Sequence, residues 1–223
     1  MVLKDEQITG LQLGGIFTLF IALFLLTIAT AANSWQTSNG RNYYFNIGIW
    51  KWCAISKVND DTTICGNVDK DELYKDQTQQ NSVEAMRILT CFTTAMVAFS
   101  MLLMLGNKPI FAYLAAFSAL LSMILAITTV IIYSKYVWEN ADLETLDALT
   151  PNDPHWKYGF SYWFFITSII MLIISFIILL ILGKGLKNKS TISPSKENEN
   201  ESLLEVPATG DVVDDVDTLQ APF

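Results

Sequence analysis

Four apolar stretches, each about long enough to cross a hydrocarbon core of about 30 Å as a helix, constrain this chain more than any other feature. They cover residues 11–32, 85–105, 110–134 and 160–182, and Arg87 is the sole charged residue inside them. Runs of this length in lipid must close their backbone hydrogen bonds internally, which selects helices. Four buried helices of a soluble domain are a poor alternative. Only 16% of the residues are charged, against about 25% in an average globular domain, so too little polar sequence remains to cover them. The first run ends Ala29-Thr30-Ala31, a pattern that a signal peptidase accepts. Its apolar core is nevertheless longer than a usual signal core, and Lys4 is set against Asp5 and Glu6, so a retained span is expected.

Orientation rests on several signals, one of which conflicts with the rest. The second and third spans are joined by Gly106-Asn107-Lys108-Pro109, and Lys184, Lys187 and Lys189 follow the fourth. Positive residues beside spans mark the cytosolic side. Five further basic residues, Arg41, Lys51, Lys57, Lys70 and Lys75, precede the second span and pull the other way. The cysteines help decide. Cys91 falls within the second span, whereas Cys53 and Cys65 share one polar loop and make a sensible disulfide; two unpaired thiols are the other reading. A disulfide persists outside the cytosol. Both chain ends are therefore expected in the cytosol, with outer loops at residues 33–84 and 135–159 and a multi-pass protein at the plasma membrane.

The first outer loop has strand character. Tyr43, Tyr44, Phe45, Ile47, Ile49, Trp50 and Trp52 are followed by Ala54-Ile55-Ser56-Lys57-Val58, and Asn39-Gly40 is a hairpin-turn signal just ahead. A small extracellular antiparallel β-sheet on a four-helix transmembrane bundle is the fold expected, within a unit of residues 1–187. Pro151 and Pro154 are expected to limit regular structure in the second loop. Residues 188–223, rich in Ser, Pro, Asn and acid, cannot bury enough apolar surface to fold alone and are expected to form a disordered cytosolic tail.

One arrangement of residues is specific. Trp35 follows the first span, then come Gly48-Ile49-Trp50, Cys53 and Cys65, and Arg87 opens the second span. The fourth span opens with Tyr158-Gly159-Phe160-Ser161-Tyr162-Trp163. This order resembles the signature of the claudin superfamily, which includes claudins, peripheral myelin and epithelial membrane proteins, and calcium-channel gamma subunits. The resemblance covers about residues 8–187. It implies that Trp35 and Trp50 anchor a sheet into the top of the bundle, where the residues alone equally suit interfacial aromatics. It also implies that Arg87 donates to backbone carbonyls of the loop, where the residue alone could simply snorkel. Gly48 permits a close backbone approach or is an ordinary loop glycine.

Signs of catalysis are missing. His155, the single histidine, has no cysteine or carboxylate at metal-ligand spacing, and no Gly-rich phosphate loop follows a strand. No enzyme, cofactor, metal site or nucleic-acid partner is expected. The resemblance implies a cell–cell junction protein that adheres to itself in cis and trans and forms a paracellular barrier or ion path. The alternatives are an auxiliary subunit of an ion channel, or a membrane-organising protein of the peripheral myelin type. Asp60 and Asp61, between the cysteines, are the candidates for charge selectivity. Glu199 with Leu203-Leu204 resembles an acidic dileucine signal read by clathrin adaptors. The chain ends Ala221-Pro222-Phe223 where claudins carry a Tyr-Val end for PDZ domains, which puts scaffold coupling in doubt.

Overall fold

The computed structural model describes residues 5–39, 43–57, 62–68, 77–106, 108–138 and 156–202. Four helices form the bundle: α1 (Asp5–Ala31), α2 (Gln77–Leu103), α3 (Pro109–Ile132) and α4 (Phe160–Ser202). All four are long and apolar enough to cross a membrane. Each packs on two neighbours, α1 on α2 and α4, and α3 on α2 and α4, so the helices close a ring. A short π-helical segment, Tyr133–Trp138, prolongs α3.

Small side chains let α3 approach its neighbours closely: it buries Ala112, Ala115, Ala116, Ser118, Ala119, Ser122 and Ala126, against larger buried residues such as Leu19, Leu26, Phe165 and Leu172 from α1 and α4. Other large side chains face out, among them Phe17, Phe20, Phe24, Phe99 and Phe117. In lipid, apolar side chains gain little by turning inward, so close backbone approach and interhelical hydrogen bonds hold the helices together. Such bonds are present. Gln12 Nε2 donates to Met104 O at 2.8 Å, Ser118 Oγ to Met96 O at 3.0 Å, and Ser175 Oγ to Thr18 Oγ1 at 2.9 Å. The turn from α2 to α3 is tight, and Pro109 sits in the first turn of α3, where its missing N–H costs nothing.

Five antiparallel strands stand at one end of the bundle. They are β1 (Gln36–Asn39), β2 (Tyr43–Ile47), β3 (Lys51–Ser56), β4 (Thr63–Asn67) and β5 (Trp156–Tyr158), in the order β4-β3-β2-β1-β5. One face rests on the helices. Phe45 pairs with Ala54 and with Ser38, and all three are buried. Alternation sends Tyr44, Asn46, Cys53 and Ile55 to the other face.

Several boundaries differ from the expectation. The second loop contributes β5 despite Pro151 and Pro154, because the open edge of β1 supplies a partner for the residues just after them. Residues 77–84, read as loop, already belong to α2. Residues 188–202, expected to be disordered, continue α4 to Ser202. A span already wound supplies the costly nucleus, and each added residue needs only propagation. Residues 203–223 lie outside the described residues.

Candidate functional site

The sheet meets the bundle through a short list of groups that pull backbone against backbone. Trp35 leaves α1 and turns inward to 1% exposure. Its indole Nε1 donates to Ala29 O at 2.7 Å. The ring lies 5.1 Å from Tyr133, 5.2 Å from Phe165 and 6.3 Å from Tyr162, so an aromatic cluster ties α1, α4 and the π-helical segment together. Tyr158 of β5 stacks on Tyr162 at 4.3 Å and extends that cluster into the sheet. Edge-to-face and offset contacts of this kind add about 0.5–1.5 kcal/mol each beyond the area they bury.

Gly48 sits where the β2–β3 hairpin turns against the end of α1. A Cβ there would lie 2.7 Å from Asn33 Cα, and its own N–H donates to Lys51 O at 2.8 Å. Any side chain would lever the hairpin off the helix. Gly159 performs the same service on the other side. Its Cβ would fall 2.0 Å from Ser34 O, while Gly159 N donates to Trp35 O and Ser161 N to Ser34 O. Tyr158-Gly159-Phe160 was legible only as the opening of a span; its contact with residues 34 and 35 needed the fold.

Arg87 approaches from α2. Its Nε donates to Ile49 O at 2.7 Å, and its guanidinium lies 5.0 Å from the centre of the Trp50 ring. Ile49 is itself buried, so the hairpin tip carries an inward aliphatic, a carbonyl held by a cation, and an outward indole. A charged donor to a carbonyl contributes about 1.5–3 kcal/mol. The arginine therefore has a partner within the protein, and Trp50 is half-exposed beside it rather than buried in the bundle top.

Cys53 and Cys65 form a disulfide, with Cα atoms 4.1 Å apart and directly opposed in the β3–β4 ladder. That distance suits the close, non-hydrogen-bonded pairs of an antiparallel ladder. The bridge lies on the face turned away from the helices and fixes β4, an edge strand with one neighbour in the sheet. Along the inward row the burial changes abruptly. Ser38, Phe45 and Ala54 are covered, while Ile64, the next in register, overhangs the bundle at 57% exposure. No sequence signal marked Ile64, because its exposure depends on where the bundle stops.

Asp60 and Asp61 fall in sequence between β3 and β4 and lie outside the described residues, as do His155, Leu203 and Leu204. Glu199 belongs to α4. Among the described residues, no group of three or more His, Cys, Asp and Glu comes close enough to hold a metal ion. Among the described residues, the arrangement offers a braced platform whose edge strand β4 carries an exposed aliphatic, Ile64. No curated protein matches the sequence closely enough to narrow its role. Residues 9–179 match the PMP-22/EMP/MP20/Claudin family, a stretch that takes in all five strands, all of α2 and α3, most of α1 and the first part of α4, and the chain belongs to that family.

Proposed function

We propose that the protein is a cell–cell junction component, which assembles side by side in one membrane and across to the next to form a paracellular barrier or ion path. The single observation that carries this reading is the β4 edge with Ile64 overhanging it. An edge strand presents unpaired N–H and C=O groups, a template for pairing with another chain. Natural proteins usually blunt such edges with charge, bulges or cover. Here the edge strand is pinned to β3 by a disulfide and carries an exposed aliphatic. The disulfide also supports placing the sheet outside the cell and both chain ends in the cytosol, since such bridges survive in oxidising surroundings. The platform works as a contact surface because Trp35, Arg87 and the two glycines hold it in a fixed pose on the spans.

Cells without adherent contacts of their own, given only this protein, provide the test. Enrichment at mutual borders is expected for the wild type. Ile64→Lys places a charge on the overhang, away from the core, and should reach the surface normally while border enrichment falls several-fold. Uniform staining of the wild type, with a pore-forming protein co-purifying, would support the auxiliary-subunit reading instead.

A further inference from the structure

Gln36 places an amide on the inward row of the sheet. Alternation along β1 turns Gln36 and Ser38 towards the helices, as it does Phe45 and Ile47 of β2. Gln36 is 2% exposed, yet its Oε1 has no hydrogen-bond partner among the described residues. Buried polar atoms are nearly always answered, by protein or by ordered water. A cavity of about 10 Å³ lies beside this side chain, where the start of β1 and the β2–β3 turn meet α2 and the π-helical segment. Gln36 and Tyr133 form its polar wall, and Ile47, Ile49, Val83 and Met86 its apolar one. Trp35 also borders it, but its donors are committed, the backbone N–H to Ile47 O and Nε1 to Ala29 O.

We propose that this cavity holds one structural water, which donates to Gln36 Oε1 and so joins the sheet to the bundle. Size selects this occupant, because a single water needs roughly 10–15 Å³ of such space and any larger molecule needs more. Chemistry selects it too. A metal ion takes several oxygens, and the side chains of Ile47, Ile49, Val83 and Met86 offer none. An ion would also lose its hydration against those aliphatic walls, whereas a neutral water loses far less. Tyr133 supplies the second contact. Its hydroxyl is buried, and a phenol both donates and accepts, so it can meet a water beside whatever else it touches. The water thereby links β1 to the π-helical segment. All six lining side chains are at most 4% exposed, so a water among them exchanges slowly with bulk.

Pulsed X-ray radiolysis of the full-length protein in nanodiscs, fired at set times after mixing with heavy-oxygen water, tests this. Radiolysis turns a bound water into hydroxyl radical in place, and the radical oxidises the nearest side chains. Met86, 1% exposed, lines the cavity, whereas Met104, 2% exposed, has the same chemistry just past the far end of α2. Oxidation of Met86 is expected to exceed that of Met104 several-fold in the wild type. Its label should take up heavy oxygen more slowly than that of the half-exposed Trp50. Gln36→Leu removes the carbonyl and Val83→Ile fills the cavity with one more methylene, so each should bring Met86 down to the level of Met104. Equal oxidation of the two methionines in the wild type overturns the proposal, whether or not either variant folds. So does heavy-oxygen uptake at Met86 as fast as at Trp50, which would mean that bulk water enters. An excess at Met86 that survives both substitutions overturns it as well.

Discussion

Arg87 and Gly159 seat the sheet from opposite sides, one by supplying a donor and the other by lacking a side chain. Arg87→Ala leaves the Ile49 carbonyl without its 2.7 Å partner, a loss of about 1.5–3 kcal/mol for a charge-assisted bond. Membrane insertion should not suffer, because a charge leaves the span. Surface biotinylation is expected to show reduced delivery at unchanged membrane-integrated protein. Normal delivery with an unchanged melting temperature in detergent would mean that the Ile49 contact does not hold the sheet. Gly159→Ala is the sharper change. Its Cβ meets backbone, Ser34 O at 2.0 Å, which cannot rotate aside as a side chain would. The cost should reach the upper end of about 1–3 kcal/mol for overpacking, read as a lower melting temperature. A variant as stable as the wild type would show that the α4 opening can slide past residue 34.

Strands and spans differ in how they can be removed. The Cys53–Cys65 bridge closes a loop of sequence separation 12, which in the chain-entropy model is worth about 3 kcal/mol. Cys53→Ser with Cys65→Ser should therefore loosen β4 first, being an edge strand, and leave the spans helical. Hydrogen exchange provides the measurement: amides of Thr63–Asn67 should exchange faster while those of α3 keep their protection. Equal loss in both would mean that sheet and bundle unfold as one unit. The same division explains what was legible in the sequence. The spans declared themselves because about 20 uncharged residues admit few structures. The β1–β2 hairpin was signalled by Asn39-Gly40 and aromatic content, and the signature Trp, Gly, Cys and Arg gave the family. Strand β5 carries too few residues to show a period, and it exists only because β1 offers an edge. The Ile64 overhang and the cavity beside Gln36 arise from relative placement of elements, which no local pattern encodes.

At the scale of the whole molecule the charge is lopsided. The net charge is −8, and the two loops at the sheet end hold twelve acidic residues against seven basic ones. If copies of the sheet line a path between cells, carboxylates along it select cations. Screening limits how much of this total matters. At physiological salt the Debye length is about 8 Å, so only charges at the constriction act on a passing ion. Asp60 and Asp61 are the best placed in sequence, since they follow β3 and precede the edge strand β4, whose overhang is the proposed contact. Lys51 and Lys57 flank them and oppose their field: Lys57, exposed just after β3, is three residues from Asp60, whereas Lys51 is at the far end of that strand. An epithelial layer expressing the protein should therefore show a dilution potential of cation-selective sign. Asp60→Asn with Asp61→Asn should reduce it at unchanged junctional amount, whereas Ile64→Lys should remove the path together with the border staining. An anion-selective wild type, or a double variant with the wild-type potential, would place the selective charges elsewhere. A potential abolished by Ile64→Lys but untouched by the aspartate changes would retain the edge as the assembly contact and exclude Asp60 and Asp61 from the constriction.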